Sequence, residues 1–405
     1  MSFVANRLKA IKPSPTLAVT AKAARLKSEG KDVIAMGAGE PDFDTPQFIK
    51  DAAKAAIDKG LTKYTAAGGT PSLRKAIAAK FKRENGLEYG EKQILVSVGG
   101  KQTSFNLCLA LLNAGDEAIV PAPFWVSYPD MAMMADAKPV FIHAGIEQGF
   151  KITPLQLKNA ITPKTRLVWL NSPSNPTGAV YTAAELKALG EVLKQHPRIV
   201  IASDDMYEHI LLDGSKFVNI LNVCPELYGQ TVTMNGVSKA YSMTGWRIGY
   251  CGGPQELIEA MENVQSHSTS NPASISQYAA EAALTGDQGC IVPMVAAFRE
   301  RAKVITEGLN RIPGVKALMP TGAFYSFPDC RDAIQNLYNA GKIPAPTDLA
   351  LCDYLLSQPK AVAAVPGSAF GAEGYLRISF ATSMENIKKA VERTAEAMAL
   401  QRVAA

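Results

Sequence analysis

Residues 231–247 read TVTMNGVSKAYSMTGWR, an apolar strand followed by a polar turn that carries Ser238, Lys239 and Arg247. A hydroxyl and a guanidinium beside an amine suit a phosphate group. An amine bonds an aldehyde only when it is unprotonated, and nearby positive charge lowers its pKa toward neutrality. The stretch therefore predicts a strand whose end carries a nucleophilic lysine next to a phosphate site. A solvated loop lysine is the competing interpretation of Lys239 taken alone.

The composition is that of an ordinary globular protein: 405 residues, 47% hydrophobic and 20% charged. This length predicts two or three domains. The net charge of +5 comes with no dense basic block, which argues against a nucleic-acid partner. Six scattered cysteines without a C-x-x-C pair indicate reduced thiols, and the four histidines lack the spacing of a metal site.

The chain has no apolar run near the roughly 18 residues that indicate a membrane span. Its N-terminal residues lack the pattern of a secretory signal. We therefore expect a cytoplasmic protein with no membrane partner.

Short apolar strands alternate with helical segments through the middle of the chain. This alternation predicts an α/β fold with a mostly parallel, doubly wound sheet. Thr182 and Glu185 are spaced as a capping box at the start of one of the helices. The predicted strands are 93–98, 117–120, 166–170, 198–202, 231–234 and 248–251, and the predicted helices include 103–113 and 183–195.

From about residue 291 the pattern changes, which predicts a second, smaller α+β domain. Residues 329–347 have no clear pattern. We predict an N-terminal arm and first part of the small domain at 1–45, a large cofactor-binding domain at 46–290 and a small C-terminal domain at 291–405. The elements predicted in the last part are helices at about 293–311 and 385–401 and strands at 316–319, 323–327, 362–365 and 376–380.

Ligands bind outside the carboxyl ends of the strands in open parallel sheets, and the first such end carries Gly99, Gly100 and Lys101. Two glycines let the backbone approach a ligand closely, and the free N–H groups of a helix start favour a phosphate. Lys101 opposes the helix dipole there, which indicates a use for its charge. A lysine that simply reaches water is the alternative.

Other strand ends carry further polar groups. The proline-rich loop 171–178 holds Asn175 in one orientation, and Asp204 follows an apolar strand with Tyr207 three residues on. Arg377 lies inside a small-domain strand, where it suits a carboxylate ligand. The alternatives are a plain turn for the loop 171–178, a helix cap for Asp204 and a structural salt bridge for Arg377.

Together these elements resemble the class I aminotransferases that use pyridoxal 5'-phosphate, in particular their bacterial aspartate/prephenate branch. The matching motifs are Asn-Pro-x-Gly at 175–178, Asp-x-x-Tyr at 204–207, and Ser-Lys at 238–239 followed by Arg247. The similarity extends from residues 12–14 and 37–43 to 379–383. It implies the aspartate aminotransferase-like fold of this cofactor class.

The resemblance implies a role for each matching residue. Lys239 would bond the aldehyde of the cofactor and later carry the proton between the substrate α-carbon and the cofactor. Asp204 would pair with the protonated ring nitrogen, Tyr207 and Asn175 would bond the phenolic oxygen, and Trp125 would stack on the ring.

The phosphate would be held by Ser238, Arg247 and the backbone of residues 99–101. Tyr64 matches the tyrosine that reaches the phosphate of the neighbouring subunit's cofactor. The resemblance therefore implies a homodimer with shared active sites.

Arg377 matches the clamp on the substrate α-carboxylate, next to the Gly39 backbone and in a site shared with Asn175 and Trp125. The substrates implied are a small amino acid and a 2-oxo acid.

The loop 266–271 lacks the arginine that some relatives use for a distal carboxylate. In the branch resembled here, Lys101 is the candidate for binding the distal carboxylate. Lys12 and Thr16 would assist it and would admit the bulkier prephenate. We therefore predict a preference for aspartate and glutamate.

Two alternatives stay open at this point. One is an aminotransferase of alanine, aromatic or kynurenine specificity, or a β-lyase, on the same scaffold. The other is a non-catalytic regulator that senses the cofactor. Only about 40 residues precede the predicted large domain, and they contain no helix-turn-helix pattern, which disfavours a regulator.

Overall fold

A computed structural model of the chain describes residues 3–11 and 13–399. A π-helical turn, Phe81–Asn85, directly follows α3. The α-helices are α1 (Pro15–Ser28), α2 (Gln47–Asp58), α3 (Pro71–Lys80), α4 (Gly100–Leu111), α5 (Ser127–Met134), α6 (Pro154–Ala160), α7 (Ala183–Leu193), α8 (Ile220–Val223), α9 (Gln255–Ser266), α10 (Ser274–Thr285), α11 (Val292–Leu309), α12 (Arg331–Asn339), α13 (Asp348–Ser357) and α14 (Met384–Met398). The strands are β1 (Asp32–Ala35), β2 (Ile94–Ser97), β3 (Glu117–Ala122), β4 (Lys138–His143), β5 (Thr165–Asn171), β6 (Val200–Asp204), β7 (Thr231–Gly236), β8 (Gly249–Gly252), β9 (Tyr325–Ser326), β10 (Lys360–Ala363), β11 (Val365–Pro366) and β12 (Leu376–Ser379).

Seven strands of the described residues form one large sheet in the order β2-β8-β7-β6-β5-β3-β4. Only β8 runs antiparallel to its neighbours β2 and β7, so the other strands point the same way. The central strands β5, β6 and β7 are largely buried, as expected for a sheet with helices on both faces. The predicted mostly parallel α/β fold is confirmed.

Two smaller sheets lie outside the large sheet. β1 pairs in parallel with β10, which joins residues near the N-terminus to residues beyond 290. β12 lies between β11 and β9, antiparallel to both. The division of the chain into domains at residues 46 and 291 stays a prediction.

The structure corrects three details of the predicted elements. Residues 316–319 form no strand; Lys316 makes a single bridge to Asp329, and Leu318 and Met319 are partly exposed with no neighbouring strand to pair with. The edge strand β4 was not predicted, because it is half exposed and contains Pro139, which an edge tolerates. A helix, α12, lies in the segment that had no clear pattern.

The capping box predicted at the start of α7 is present. Thr182 Oγ1 accepts from the Glu185 N–H at 3.3 Å, and Glu185 Oε2 accepts from the Thr182 N–H at 2.8 Å. Among the described helices, none is both long and apolar enough to cross a membrane.

Candidate active site

The carboxyl ends of the parallel strands meet at one edge of the large sheet. Asn171, the last residue of β5, lies directly opposite Asp204, the last residue of β6. Ser238 and Lys239 follow the end of β7, which pairs with β6. The polar groups predicted from four separate strand ends are therefore brought to one place.

A cavity of about 370 Å³ opens at this edge. Most of the predicted site residues line it: Thr16, Gly39, Gly100, Lys101, Trp125, Asn175, Asp204, Tyr207, Ser238, Lys239, Arg247 and Arg377. Gly99 does not line the cavity itself but adjoins Arg247, whose guanidinium a Cβ on Gly99 would meet. Tyr64 does not line the cavity and is 92% exposed. Lys12 lies outside the described residues.

The Lys239 ammonium lies inside the cavity and donates a hydrogen bond to the carbonyl of Gly39. Burial lowers the pKa of this lysine to about 8, and the positive charges of Arg377 and Arg247 contribute in the same direction. About a tenth of the amine is therefore neutral at pH 7, the form that a nucleophile or base requires.

The Asp204 carboxylate is held by donors on both oxygens. Tyr128 donates to Oδ2 at 2.5 Å, and the backbone N–H of Met206 donates to Oδ1 at 3.2 Å. Burial raises the pKa of Asp204, while these hydrogen bonds and the charge of Lys239 oppose that rise. Asp204 is thus a partly buried acid that a cationic ligand group would stabilise.

Arg377 is buried without an anionic partner among the described residues. Its Nη2 donates to the carbonyl of Gly37 at 2.7 Å and its Nη1 to Oδ1 of Asn175 at 3.0 Å, while its Nε has no hydrogen-bond partner. The alternative interpretation of Arg377 as half of a structural salt bridge is therefore wrong. A buried cation without a counter-ion indicates an anionic ligand.

The start of α4 forms a cradle with Arg247. Gly99 has φ +83, and a Cβ on it would lie 2.2 Å from Arg247 Nη2. The first N–H groups of the helix, at Gly100 and Lys101, have no carbonyl one turn earlier to bond. With the buried Ser238, these groups form a concave set of donors that suits a phosphate.

Lys101 lies at the open side of the cavity. Its ammonium lies 5.2 Å from the centre of the Trp125 ring. Burial lowers the pKa of Lys101, as does the charge of Arg247, while Asp130 raises it. Thr16, near the start of α1, has a buried hydroxyl without a hydrogen-bond partner among the described residues.

Two tyrosines that sequence reasoning missed complete the cavity wall. Tyr128 holds Asp204, and the hydroxyl of Tyr325 lies 2.8 Å from that of Tyr207. Tyr325 belongs to a stretch predicted only as a strand. Tyr128 follows the Pro-Phe-Trp turn after β3. Its place shortly after the end of a parallel strand is the one sequence signal for a site residue here, since the other site residues also follow strand ends.

A second polar cluster lies away from the cavity. Glu84, Glu208 and His209 bring potential metal-ligand atoms together, which the sequence spacing did not reveal. The buried ammonium of Lys80 pairs with Glu208 and lies 3.5 Å from Glu84. The cluster is therefore an internal ion-pair network in which a lysine provides the positive charge.

The fold and this cavity define a cofactor-dependent enzyme of the aminotransferase class. The chain belongs to the family described as aminotransferase class I and II, whose sequence profile matches residues 31–393. It is therefore a transferase, and family membership implies pyridoxal phosphate as the cofactor.

Three of the similar proteins are bacterial aminotransferases. An aspartate/prephenate aminotransferase of Nitrosomonas europaea is 63% identical over 97% of this chain and 98% of its own length. The crystal structure of the aspartate aminotransferase of Rhizobium meliloti has a TM-score of 0.92 and 49% identity, and covers 98% of this chain and 99% of its own. That of the Thermus thermophilus aspartate aminotransferase with maleate has a TM-score of 0.91 and 44% identity, over 98% of this chain and 100% of its own.

Proposed function

We propose that this protein moves the amino group of aspartate or glutamate to a 2-oxo acid with pyridoxal 5'-phosphate as cofactor, and that prephenate is one of its acceptors. The observation that carries the proposal is the arrangement of the cavity. Its lining combines a lysine with a pKa of about 8, the Asp204 carboxylate and the guanidinium of Arg377, which has no ion-pair partner among the described residues.

The residues present fit the cofactor. A methyl group on Gly99 would collide with Arg247, and one on Gly100 would lie 2.6 Å from Met206 Cε, so the glycines keep the cradle at the start of α4 open. The donors there match a phosphate dianion. The Asp204 carboxylate, which also lines the cavity, matches a protonated ring nitrogen. When bound, the cofactor withdraws electrons from the substrate α-carbon and makes its proton easier to remove.

The chain's own groups bind and orient the substrate. Arg377 offers its positive charge to the α-carboxylate, and its hydrogen bonds to Asn175 and Gly37 fix the plane of the guanidinium. Trp125 also lines the cavity. Lys239, whose pKa of about 8 leaves part of the amine neutral, accepts the α-proton and returns it at a different carbon.

The dicarboxylate preference is supported by Lys101 and Thr16, which both line the cavity. The lysine offers a charge to a second carboxylate, and the buried Thr16 hydroxyl lacks a partner among the described residues. Maleate, in the Thermus thermophilus structure, is a dicarboxylate, and the Nitrosomonas europaea relative is named for aspartate and prephenate. Prephenate also carries two carboxylates.

A homodimer and a cytoplasmic location belong to the same proposal. Tyr64 is almost fully exposed and absent from the cavity of its own chain, which supports a role at the phosphate of a second copy. All six cysteines are free thiols, which supports a reducing compartment.

Borohydride reduction of the purified yellow holoprotein, followed by peptide mass spectrometry, tests the covalent link. We expect the tag on Lys239 alone. A panel of amino donors against 2-oxoglutarate, oxaloacetate and prephenate tests the substrates, and aspartate and glutamate should exceed alanine and phenylalanine. A tag on another lysine contradicts the cofactor assignment, and equal rates for all donors contradict the dicarboxylate preference.

A further inference from the structure

We propose that Tyr325 is a positioning residue that ties Tyr207 to Arg377, so that the contacts to the cofactor ring and to the substrate carboxylate are held in one fixed arrangement. The inference deepens the proposed function and rests on it. Tyr325 makes this link through two separate parts of its side chain, the hydroxyl and the ring.

The hydroxyl of Tyr325 lies 2.8 Å from that of Tyr207, and both side chains are buried. The two rings meet edge to face, with centroids 5.8 Å apart. If Tyr207 donates its proton to the phenolic oxygen of the ring, its own oxygen is free to accept. Tyr325 then donates to Tyr207, and a chain of two hydrogen bonds ends on the cofactor.

The ring of Tyr325 supports the guanidinium of Arg377. The Arg377 Cζ lies 4.7 Å from the centre of the Tyr325 ring and 4.9 Å from that of Phe370. Two aromatic rings therefore contact a cation that no carboxylate of the described residues neutralises. Such contacts restrict the guanidinium to a narrow range of orientations.

The strand pairing explains why these side chains meet. Tyr325 in β9 lies directly opposite Ser379 in β12, and Arg377 is two residues from Ser379 along the same strand. Residues two apart on a strand point to the same face, so Tyr325 and Arg377 share a face of this sheet.

The hydroxyl of Tyr325 also lies close to Gly39, the residue whose carbonyl accepts the hydrogen bond from Lys239. A Cβ built on Gly39 would lie 2.8 Å from this hydroxyl oxygen, and the Gly39 carbonyl accepts from Lys239. Tyr325 thus contacts Tyr207, Arg377 and Gly39 at once. No other aromatic side chain of the described residues combines a hydrogen bond to Tyr207 with a contact to Arg377.

Two substitutions separate the hydroxyl from the ring. Tyr325→Phe keeps the ring and should leave the Kd for maleate within about twofold. It removes the donor to Tyr207 and so weakens stabilisation of the phenolic oxygen's negative charge. We expect the pH midpoint of the visible absorption of the holoenzyme to rise by about half a unit or more, with a lower kcat. Tyr325→Leu removes the ring and should raise the Kd for maleate about tenfold or more.

The matched control is Tyr89→Phe. Tyr89 is a buried tyrosine outside the cavity, and its hydroxyl lies 3.0 Å from the Thr233 hydroxyl. The Tyr89→Phe variant therefore loses a hydrogen bond comparable to the one lost in Tyr325→Phe. It should change the stability of the protein but neither the absorption midpoint nor the maleate Kd. The measurements are absorption titrations of holoenzyme with acid and base and with maleate.

An unchanged or lowered midpoint in Tyr325→Phe would overturn the inference, since Tyr325 would then not donate to Tyr207. If Tyr325→Leu does not fold, the phenylalanine variant alone decides. Wild-type protein that takes up no pyridoxal phosphate, or binds no maleate, would instead overturn the proposed function. Wild-type protein that binds both, with variants that behave like it, would overturn the role of Tyr325 only.

Discussion

The hydroxyl of Tyr128 donates a hydrogen bond of 2.5 Å to Oδ2 of Asp204. The tyrosine ring is itself held in place, because it stacks on Trp169 with centroids 5.0 Å apart and meets Trp125 edge to face. Asp204 is therefore fixed by a rigid donor rather than by a mobile side chain. This contact opposes the effect of burial, which raises the pKa of Asp204.

Tyr128→Phe removes a donor that stabilises the charged carboxylate. The pKa of Asp204 should therefore rise further, and the acidic limb of the pH profile of kcat/KM should move upward by about one unit. Activity at pH 6 should fall more than activity at pH 8. Tyr181→Phe is the control, since Tyr181 is buried outside the cavity and its hydroxyl accepts from the Ile152 N–H. A uniform loss at both pH values would contradict this electrostatic role.

The lowered pKa of Lys239 predicts how fast the apoprotein takes up pyridoxal phosphate. Only the neutral amine attacks an aldehyde, so the rate should rise about tenfold per pH unit below the pKa of about 8 and level off above it. An unperturbed lysine, with a pKa of 10.5, would give a rate that still rises at pH 10. Stopped-flow absorbance at a series of pH values distinguishes the two, and Lys239→Arg should bind the cofactor without forming the covalent bond.

The residues that could be predicted from the sequence carry local signals. Lys239, Asp204 and Asn175 each follow an apolar run, where a polar side chain has a cost unless it meets a ligand. The parallel sheet then brings these strand ends to one edge. Their roles were assigned through the resemblance, and the structure adds that most of them line one cavity.

Tyr128 and Tyr325 could not be predicted in the same way. Both are buried among apolar residues, where tyrosine is an ordinary core residue, and their sequence surroundings do not show which hydroxyl reaches Asp204 or Tyr207. Their roles depend on how helices and strands pack. The wrong prediction of a strand at 316–319 has the same cause. An apolar run of sequence does not show whether a neighbouring strand is present to pair with it.

Lys101 should determine the preference for a second carboxylate. Lys101→Ala should raise KM for aspartate by about 10- to 100-fold, the equivalent of losing one hydrogen bond to a charged group. KM for phenylalanine should change less than about threefold, because its uncharged side chain makes no ion pair with Lys101 that the substitution could remove. Steady-state kinetics with both donors is the measurement.

Lys187→Ala provides the control for the lost charge, since Lys187 is exposed on α7 and does not line the cavity. Its KM for aspartate should match the wild type. An equal rise in KM for aspartate and phenylalanine in Lys101→Ala would remove Lys101 from the specificity role.

Gly99 should be required for cofactor affinity rather than for folding alone. Gly99→Ala places a methyl group at φ +83 and 2.2 Å from Arg247 Nη2, so the guanidinium must move away from the start of α4. Gly86→Ala is a matched control, because Gly86 also has positive φ, at +66, but has nothing within 4 Å of the added Cβ. Both variants should lose about 1 kcal/mol of unfolding free energy to backbone strain. Only Gly99→Ala should raise the Kd for pyridoxal phosphate, by about tenfold for one displaced charged donor. If the two variants held the cofactor equally well, Arg247 would not act through the cradle at the start of α4.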